Sequence, residues 1–277
     1  MINTNQPLFD QTDIYRSLLD QGFVSVPFSI DPKCIQEAMD AFMRFLQEPD
    51  HIKEEIDFSI APLHRRGDVG YKHRKANEHI YNDDKEFFHF HPALMPRYEN
   101  FINQNPVVKS FIQKAYPIWQ LAFETVRQIL LSLEPISPNI TNNVFDTDEV
   151  HFSLRFLKYQ WQKSGRYLAK PHYDAGSFTL AIAESCPGLR IGTAPDNLNL
   201  VKHEAQTAIF FLSSNFEKVM CHNELKPAWH DVVQLDEAII GEPFARWALV
   251  AFIDGHNIEA LPRSETHKWL VQSGGRV

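Results

Sequence analysis

Lys170-Pro171-His172-Tyr173-Asp174-Ala175-Gly176 is the stretch on which the rest of the chain turns. In extended backbone, residues i and i+2 project to the same face, so His172 and Asp174 point together and Tyr173 points away. A third ligand must come from another strand, because one strand cannot wrap a metal. His230 sits in Leu225-Lys226-Pro227-Ala228-Trp229-His230-Asp231-Val232-Val233, a mostly apolar run of strand-like composition. Between the two histidines there is room for several strands of ordinary length.

Two neutral imidazoles and one carboxylate leave coordination positions open on a divalent ion, the donor set of non-haem Fe(II) sites. A 2-oxo acid could chelate two open positions and dioxygen could take another. A buried dicarboxylate needs a cation at its far end. Arg246, in Arg246-Trp247-Ala248-Leu249-Val250, could supply a two-point guanidinium contact. A His-x-Asp pair is also common on protein surfaces, and an isolated arginine is often a salt-bridge residue. Spacing alone leaves both readings open.

The order of residues around these points resembles the isopenicillin N synthase-like family of 2-oxoglutarate and Fe(II)-dependent oxygenases. Pro171 to Leu180 resembles that family's first metal-ligand segment, and Pro187-Gly188-Leu189-Arg190-Ile191 its next strand. Ala208 to Val219 is similar to the strand–turn–strand that follows, and Leu225 to Val233 to the segment bearing the second histidine. Arg246-Trp247-Ala248 falls where the family has Arg-x-Ser. The resemblance implies His172, Asp174 and His230 as iron ligands, and Arg246 as partner of the distal carboxylate of 2-oxoglutarate.

The chain departs from the pattern in places. Ala248 replaces the serine, removing a hydroxyl that would contribute about 0.5–1.5 kcal/mol net to cosubstrate binding. In Leu154-Arg155-Phe156-Leu157-Lys158-Tyr159-Gln160, Tyr159 fits a family tyrosine and is a candidate cosubstrate contact or a core tyrosine, while Leu157 stands where an asparagine is usual. The loop from Gln234 to Ala245, with Asp236, Glu237 and Glu242, is long.

With 277 residues, 44% hydrophobic and 22% charged, the composition is that of an ordinary globular protein. A net charge of −8 argues against a general nucleic-acid binder. No apolar run reaches the roughly 18 residues of a membrane span, and Met1 to Gln6 carries no secretory signal. Cys34, Cys186 and Cys221 are too scattered for a disulfide framework, which suits the cytoplasm.

Upstream, residues 7–28 read as helix then strand, with Gly22 closing the helix. Asp31-Pro32 opens a second helix with stripe Ile35, Met39, Phe42, Leu46, ended by Pro49. The basic stretch 58–92 (His64, Arg65, Arg66, Lys72, His73, Arg74, Lys75, His79) reads as a solvated loop, or else as a lid favouring an anionic substrate. His89-Phe90-His91 reads as structural or as pocket rim. Asn105-Pro106 starts a long apolar-striped helix that Pro117 should kink or divide. Residues 136–150 read as a polar linker. From His151 short strands follow, over 153–160, 177–183, 188–192, 207–213, 218–222, 227–233 and 246–253. The tail from Gly255 has helix-compatible pieces.

The expectation is a mixed α and β chain. A double-stranded β-helix (jelly roll) core over 146–277 packs as one unit with an N-terminal helical and mixed region over 1–145. The resemblance implies an Fe(II)- and 2-oxoglutarate-dependent dioxygenase that oxidises, by default hydroxylates, a small molecule. Two alternatives stand beside it: an iron oxidase that does without 2-oxoglutarate, and a non-catalytic binding protein on the same scaffold.

Overall fold

The computed structural model describes residues 9–60, 68–75, 84–146, 150–161, 167–220, 222, 224–234 and 243–256. His64, Arg65, Arg66 and His79 of the basic stretch, the loop carboxylates Asp236, Glu237 and Glu242, and the tail beyond 256 lie outside these residues.

The elements run in the order α1 (Gln11–Gln21), β1 (Phe23–Pro27), α2 (Pro32–Phe45), α3 (Asp50–Lys53), β2 (Asp57–Ser59), β3 (Asp68–Arg74), β4 (Lys85–Phe90), α4 (Leu94–Arg97), α5 (Glu99–Gln104), α6 (Pro106–Leu133) and α7 (Asn142–Phe145). Then come β5 (Phe152–Tyr159), β6 (Tyr167–His172), β7 (Phe178–Glu184), β8 (Leu189–Ala194), β9 (Asn197–Leu200), β10 (Thr207–Leu212), β11 (Trp229–Val233) and β12 (Arg246–Ile253).

The helix punctuation is chemical. Asp10 and Asp31 cap α1 and α2 by accepting from Thr12 N and Lys33 N, and Pro32 and Pro106 occupy first turns where no N–H is needed. Gly22 closes α1 at φ 81°, a left-handed conformation that suits glycine. Pro117 does not divide α6, which runs unbroken from 106 to 133 with Val108, Phe111, Ala115, Ala122 and Val126 buried along it.

The strands form two antiparallel sheets. The larger has the order β1-β10-β7-β12-β5-β4-β3-β2, and the smaller β6-β11-β8-β9. Alternation along each strand serves two cores. On β5, Leu154 and Phe156 face the helices α2 and α6, while Leu157 and Tyr159 join Ala248 of β12 and Leu168, Ile191 and Val232 of the smaller sheet. The fold is thus mixed α and β with a jelly-roll core. The large sheet crosses residue 145 without a break, since β1 to β4 lie in it beside β5, β7, β10 and β12.

Three further expectations change. The stretch 58–92 is not simply a solvated loop: its described residues form β2, β3 and β4, and all six β4 residues are buried. The charges that hide its periodicity are paired across strands, Lys72 with Asp57 at 2.7 Å and Glu86 with Lys158 at 2.7 Å. The described residues of 218–222 form no strand. Phe216–Lys218 is a 3₁₀ turn in which Val219 and Met220 N–H groups donate to Phe216 O, and burial of these side chains imitates a strand pattern. The linker 136–150 carries α7 and buries Ile140 and Val144.

Candidate metal centre

His172 is the last residue of β6, and its Cα partner across the sheet is His230 of β11. The pairing places the two rings 4.3 Å apart between centroids. Asp174 lies just past the strand end. There the Ser214 N–H donates to its carbonyl at 2.9 Å and fixes the turn. One ligand atom from each of His172, Asp174 and His230 lies within 4.8 Å of the others. His230 Nε2 is 3.5 Å from Asp174 Oδ2, and His172 Nε2 is 4.0 Å from Asp174 Oδ1.

The hydrogen bonds around the rings settle which nitrogen faces the centre. His172 Nδ1 lies 2.6 Å from Lys170 O and His230 Nδ1 lies 3.3 Å from Ala228 O. A carbonyl only accepts, so each Nδ1 carries the proton and each Nε2 lone pair is turned toward Asp174. Burial, with His230 beside it, pushes the His172 pKa down to about 3. The 39% of that side chain open to solvent tempers the size of the shift and leaves its sign. A neutral imidazole is the form that binds a metal. Asp174 is buried, and its Oδ2 accepts from Thr179 Oγ1 at 2.9 Å, which in turn contacts Ser213 Oγ at 2.8 Å. These donors fit a divalent ion with part of its coordination sphere left to ligands. Phe211, 5.1 Å from the His230 ring, walls one side.

Arg246 opens β12 and pairs with Tyr159 of β5, which pairs with Lys85 of β4. Directly paired residues share a face, so these three side chains lie in a row on the interior side. All are at most 5% exposed, and Lys85 Nζ stands 5.3 Å from the Tyr159 ring centroid. Gly188 makes room for Arg246: a Cβ there would sit 3.5 Å from Arg246 Nε and 2.8 Å from Val233 O. Three residues of β11, about 10 Å of strand, therefore separate His230 from the Arg246 end.

Four interior residues are not marked by the sequence alone. Thr179 stands in the quoted ligand segment, but nothing in its type marks it as a carboxylate partner. Lys85 falls in a stretch that reads as loop. Arg155 is held between Phe87 and Phe252 at 4.7 and 4.4 Å, with its Nε donating to His89 Nε2 at 2.7 Å. Glu184 turns inward because β7 bulges: Ala248 and Leu249 pair with Glu184 and Ala183, but Val250 pairs with Ala181, leaving Ile182 extra. Glu184 forms an ion pair with Arg246 Nη2. His91 is structural, accepting from Ala93 N at 3.2 Å.

No protein-family model and no curated protein matches the chain. Solved structures do. The dioxygenase for auxin oxidation 1 of Arabidopsis thaliana, bound to 2-oxoglutarate, is 16% identical, with 92% of each chain covered and a TM-score of 0.65. A full-length Neurospora crassa protein, solved in complex with alpha-KG and thymine, is 18% identical over 95% of this chain and 89% of its own, at TM-score 0.64. A protein of Caulobacter crescentus described as belonging to the 2OG-Fe(II) oxygenase family is 16% identical over 95% and 93%, at TM-score 0.60. At these identities the likeness speaks for architecture alone, the mixed α and β jelly roll that this chain shares with them.

Proposed function

We propose that the chain is an Fe(II)- and 2-oxoglutarate-dependent dioxygenase acting on a small molecule, of the isopenicillin N synthase-like branch. The observation that carries this is the convergence of one ligand atom from each of two imidazoles and one carboxylate within 4.8 Å. His172, Asp174 and His230 hold the ion. Arg246 and Tyr159, at the other end of the interior face, receive the distal carboxylate of the 2-oxo acid. Iron with its 2-oxo acid supplies the oxidising power for attack on an unactivated C–H bond, and the protein supplies position and exclusion of water. Thr179 keeps Asp174 oriented, and the Lys170 and Ala228 carbonyls keep each ring turned toward the centre.

A small anionic substrate is favoured by two cations on the interior face of β4 and β5. Lys85 is buried in the row with Tyr159, close enough for its charge to act on His172. Arg155 is oriented by Phe87, Phe252 and His89. Hydroxylation is the proposed outcome.

The test is an anaerobic titration of metal-free protein with Fe(II), then 2-oxoglutarate, followed by visible absorption. Chelation of the 2-oxo acid to bound Fe(II) gives a charge-transfer band that neither component shows alone. The band is expected in the wild type and absent in His172→Ala. Failure of Fe(II) to bind would overturn the site. Iron binding without a band from any 2-oxo acid would favour the second reading, an iron oxidase that does without 2-oxoglutarate, for which Ala248 is the supporting observation.

A further inference from the structure

Arg246 is not held in readiness for a ligand alone. Its Nη2 is ion-paired with Glu184 and its Nε donates to Cys186 O at 3.1 Å. Both partners of the ion pair are nearly sealed from solvent, with side-chain exposures of 4% and 5%. Glu184 also stands 3.3 Å from His203 Nδ1, within ion-pair distance, while His203 Nε2 is 3.1 Å from Ala181 O. Burial opposes the Glu184 charge, but His203 and Arg246 together outweigh it and hold the carboxyl below its ordinary range. So the guanidinium already has a carboxylate on it, supplied by the chain. Across the strands Glu184 pairs with Ala248, the residue that lacks the hydroxyl expected beside the arginine.

We propose that Glu184 sets cosubstrate affinity and selectivity by competing with the distal carboxylate of a 2-oxo acid for Arg246. This rests on the reading of the site as an iron and 2-oxo acid centre. A guanidinium has five N–H donors, and two bonds leave others for a ligand. The second carboxylate must then share one positive charge with Glu184 or displace it. Two like charges about 5 Å apart in a partly buried site repel enough to change affinity by about tenfold or more. Glu184 and His203 both border a cavity of about 360 Å³ beside α2, which gives a displaced carboxylate somewhere to go. A 2-oxo acid without the second carboxylate makes no demand on Arg246 and is indifferent to Glu184. The result is a site with little advantage for 2-oxoglutarate over its monocarboxylate counterpart.

The experiment compares 2-oxoglutarate with 2-oxobutyrate, a 2-oxo acid without the distal carboxylate, by the charge-transfer band on the anaerobic Fe(II) protein. In the wild type the two half-saturation concentrations are expected within about tenfold of each other. Glu184→Gln, isosteric and uncharged, is expected to tighten 2-oxoglutarate by about tenfold or more and to move 2-oxobutyrate by less than about threefold. Unchanged or weaker 2-oxoglutarate binding in Glu184→Gln, or an equal change for both acids, would overturn the proposal. If that variant does not fold, the wild-type ratio decides alone, and a preference for 2-oxoglutarate above about a hundredfold would sink the idea. A protein that binds Fe(II) yet shows no band with either acid, in wild type or variant, overturns the underlying reading instead, a result separable from a band with unaltered selectivity.

Discussion

Thr179 illustrates how much of the candidate centre rests on residues other than His172, Asp174 and His230. Its hydroxyl donates to Asp174 Oδ2 at 2.9 Å and is itself held by Ser213 Oγ at 2.8 Å, all within buried surroundings. An acidic ligand that must point its oxygens at one spot loses orientation when such a partner is removed, and supporting contacts of this kind typically alter metal affinity by about 10–100-fold. Thr179→Val keeps the shape and deletes the donor. Fe(II) affinity measured by competition with a chromophoric chelator is expected to fall about tenfold or more. Affinity equal to wild type would show that the turn at Asp174, fixed by the Ser214 N–H, positions the carboxylate unaided. His172, Asp174 and His230 are legible as candidates because two histidines and a carboxylate are a restrictive set of types, although their spacing alone leaves a surface reading open and the order of residues around them is what singles them out. Thr179, Lys85, Arg155 and Glu184 cannot, because a hydroxyl or a charge acquires its role from what the sheet sets opposite it. For Glu184 even the face depends on a bulge that strand alternation does not announce.

At the scale of elements, β4 shows why a segment can look like loop and be core. Lys85-Glu86-Phe87-Phe88-His89-Phe90 alternates no hydrophobic pattern because both its faces are covered, one by α6 and α2, the other by the sheet interior. By contrast α1, α2 and α6 are legible, since caps and apolar stripes are local. Just beyond β4, His91 is packed against Trp119 with centroids 5.7 Å apart. Burial is the main cause that pushes its pKa from 6.5 down to about 4, with a hydrogen bond to the Val150 backbone opposing it. The sign follows from proton binding: on acidification the unfolded chain takes up the proton near 6.5, the folded chain only near 4. The stability from the neutral buried ring is complete above the unfolded value and is lost as pH falls toward the folded one, by about 3 kcal/mol in all. Urea unfolding at about pH 7 and about pH 4.5 should show a smaller pH dependence in His91→Gln than in wild type. An identical pH dependence in both would place the acid sensitivity on other groups.

Across the whole molecule, the question is whether residues 1–145 and 146–277 behave as one cooperative unit. Phe111 of α6 is the place to ask it, because it joins the two stretches. Its ring is fully buried and lies 4.9 Å from Phe156 of β5, 5.2 Å from Phe88 of β4, 5.3 Å from Phe45 and 5.5 Å from Phe42 of α2. The eight-stranded sheet beneath it draws strands from both sides of residue 145. Separating the stretches would expose this aromatic cluster and the β4–β5 edge together. Chains of this length can unfold in stages, and a boundary at 145 would show up as two transitions. A single transition is expected, reported alike by tryptophan fluorescence and by circular dichroism. Phe111→Ala is expected to move that one transition as a whole, at a cost of about 3–5 kcal/mol. If the substitution lowers one transition and leaves a second in place, the C-terminal sandwich that carries His172, Asp174 and His230 is a unit that folds without the helical layer, and α6 only braces it.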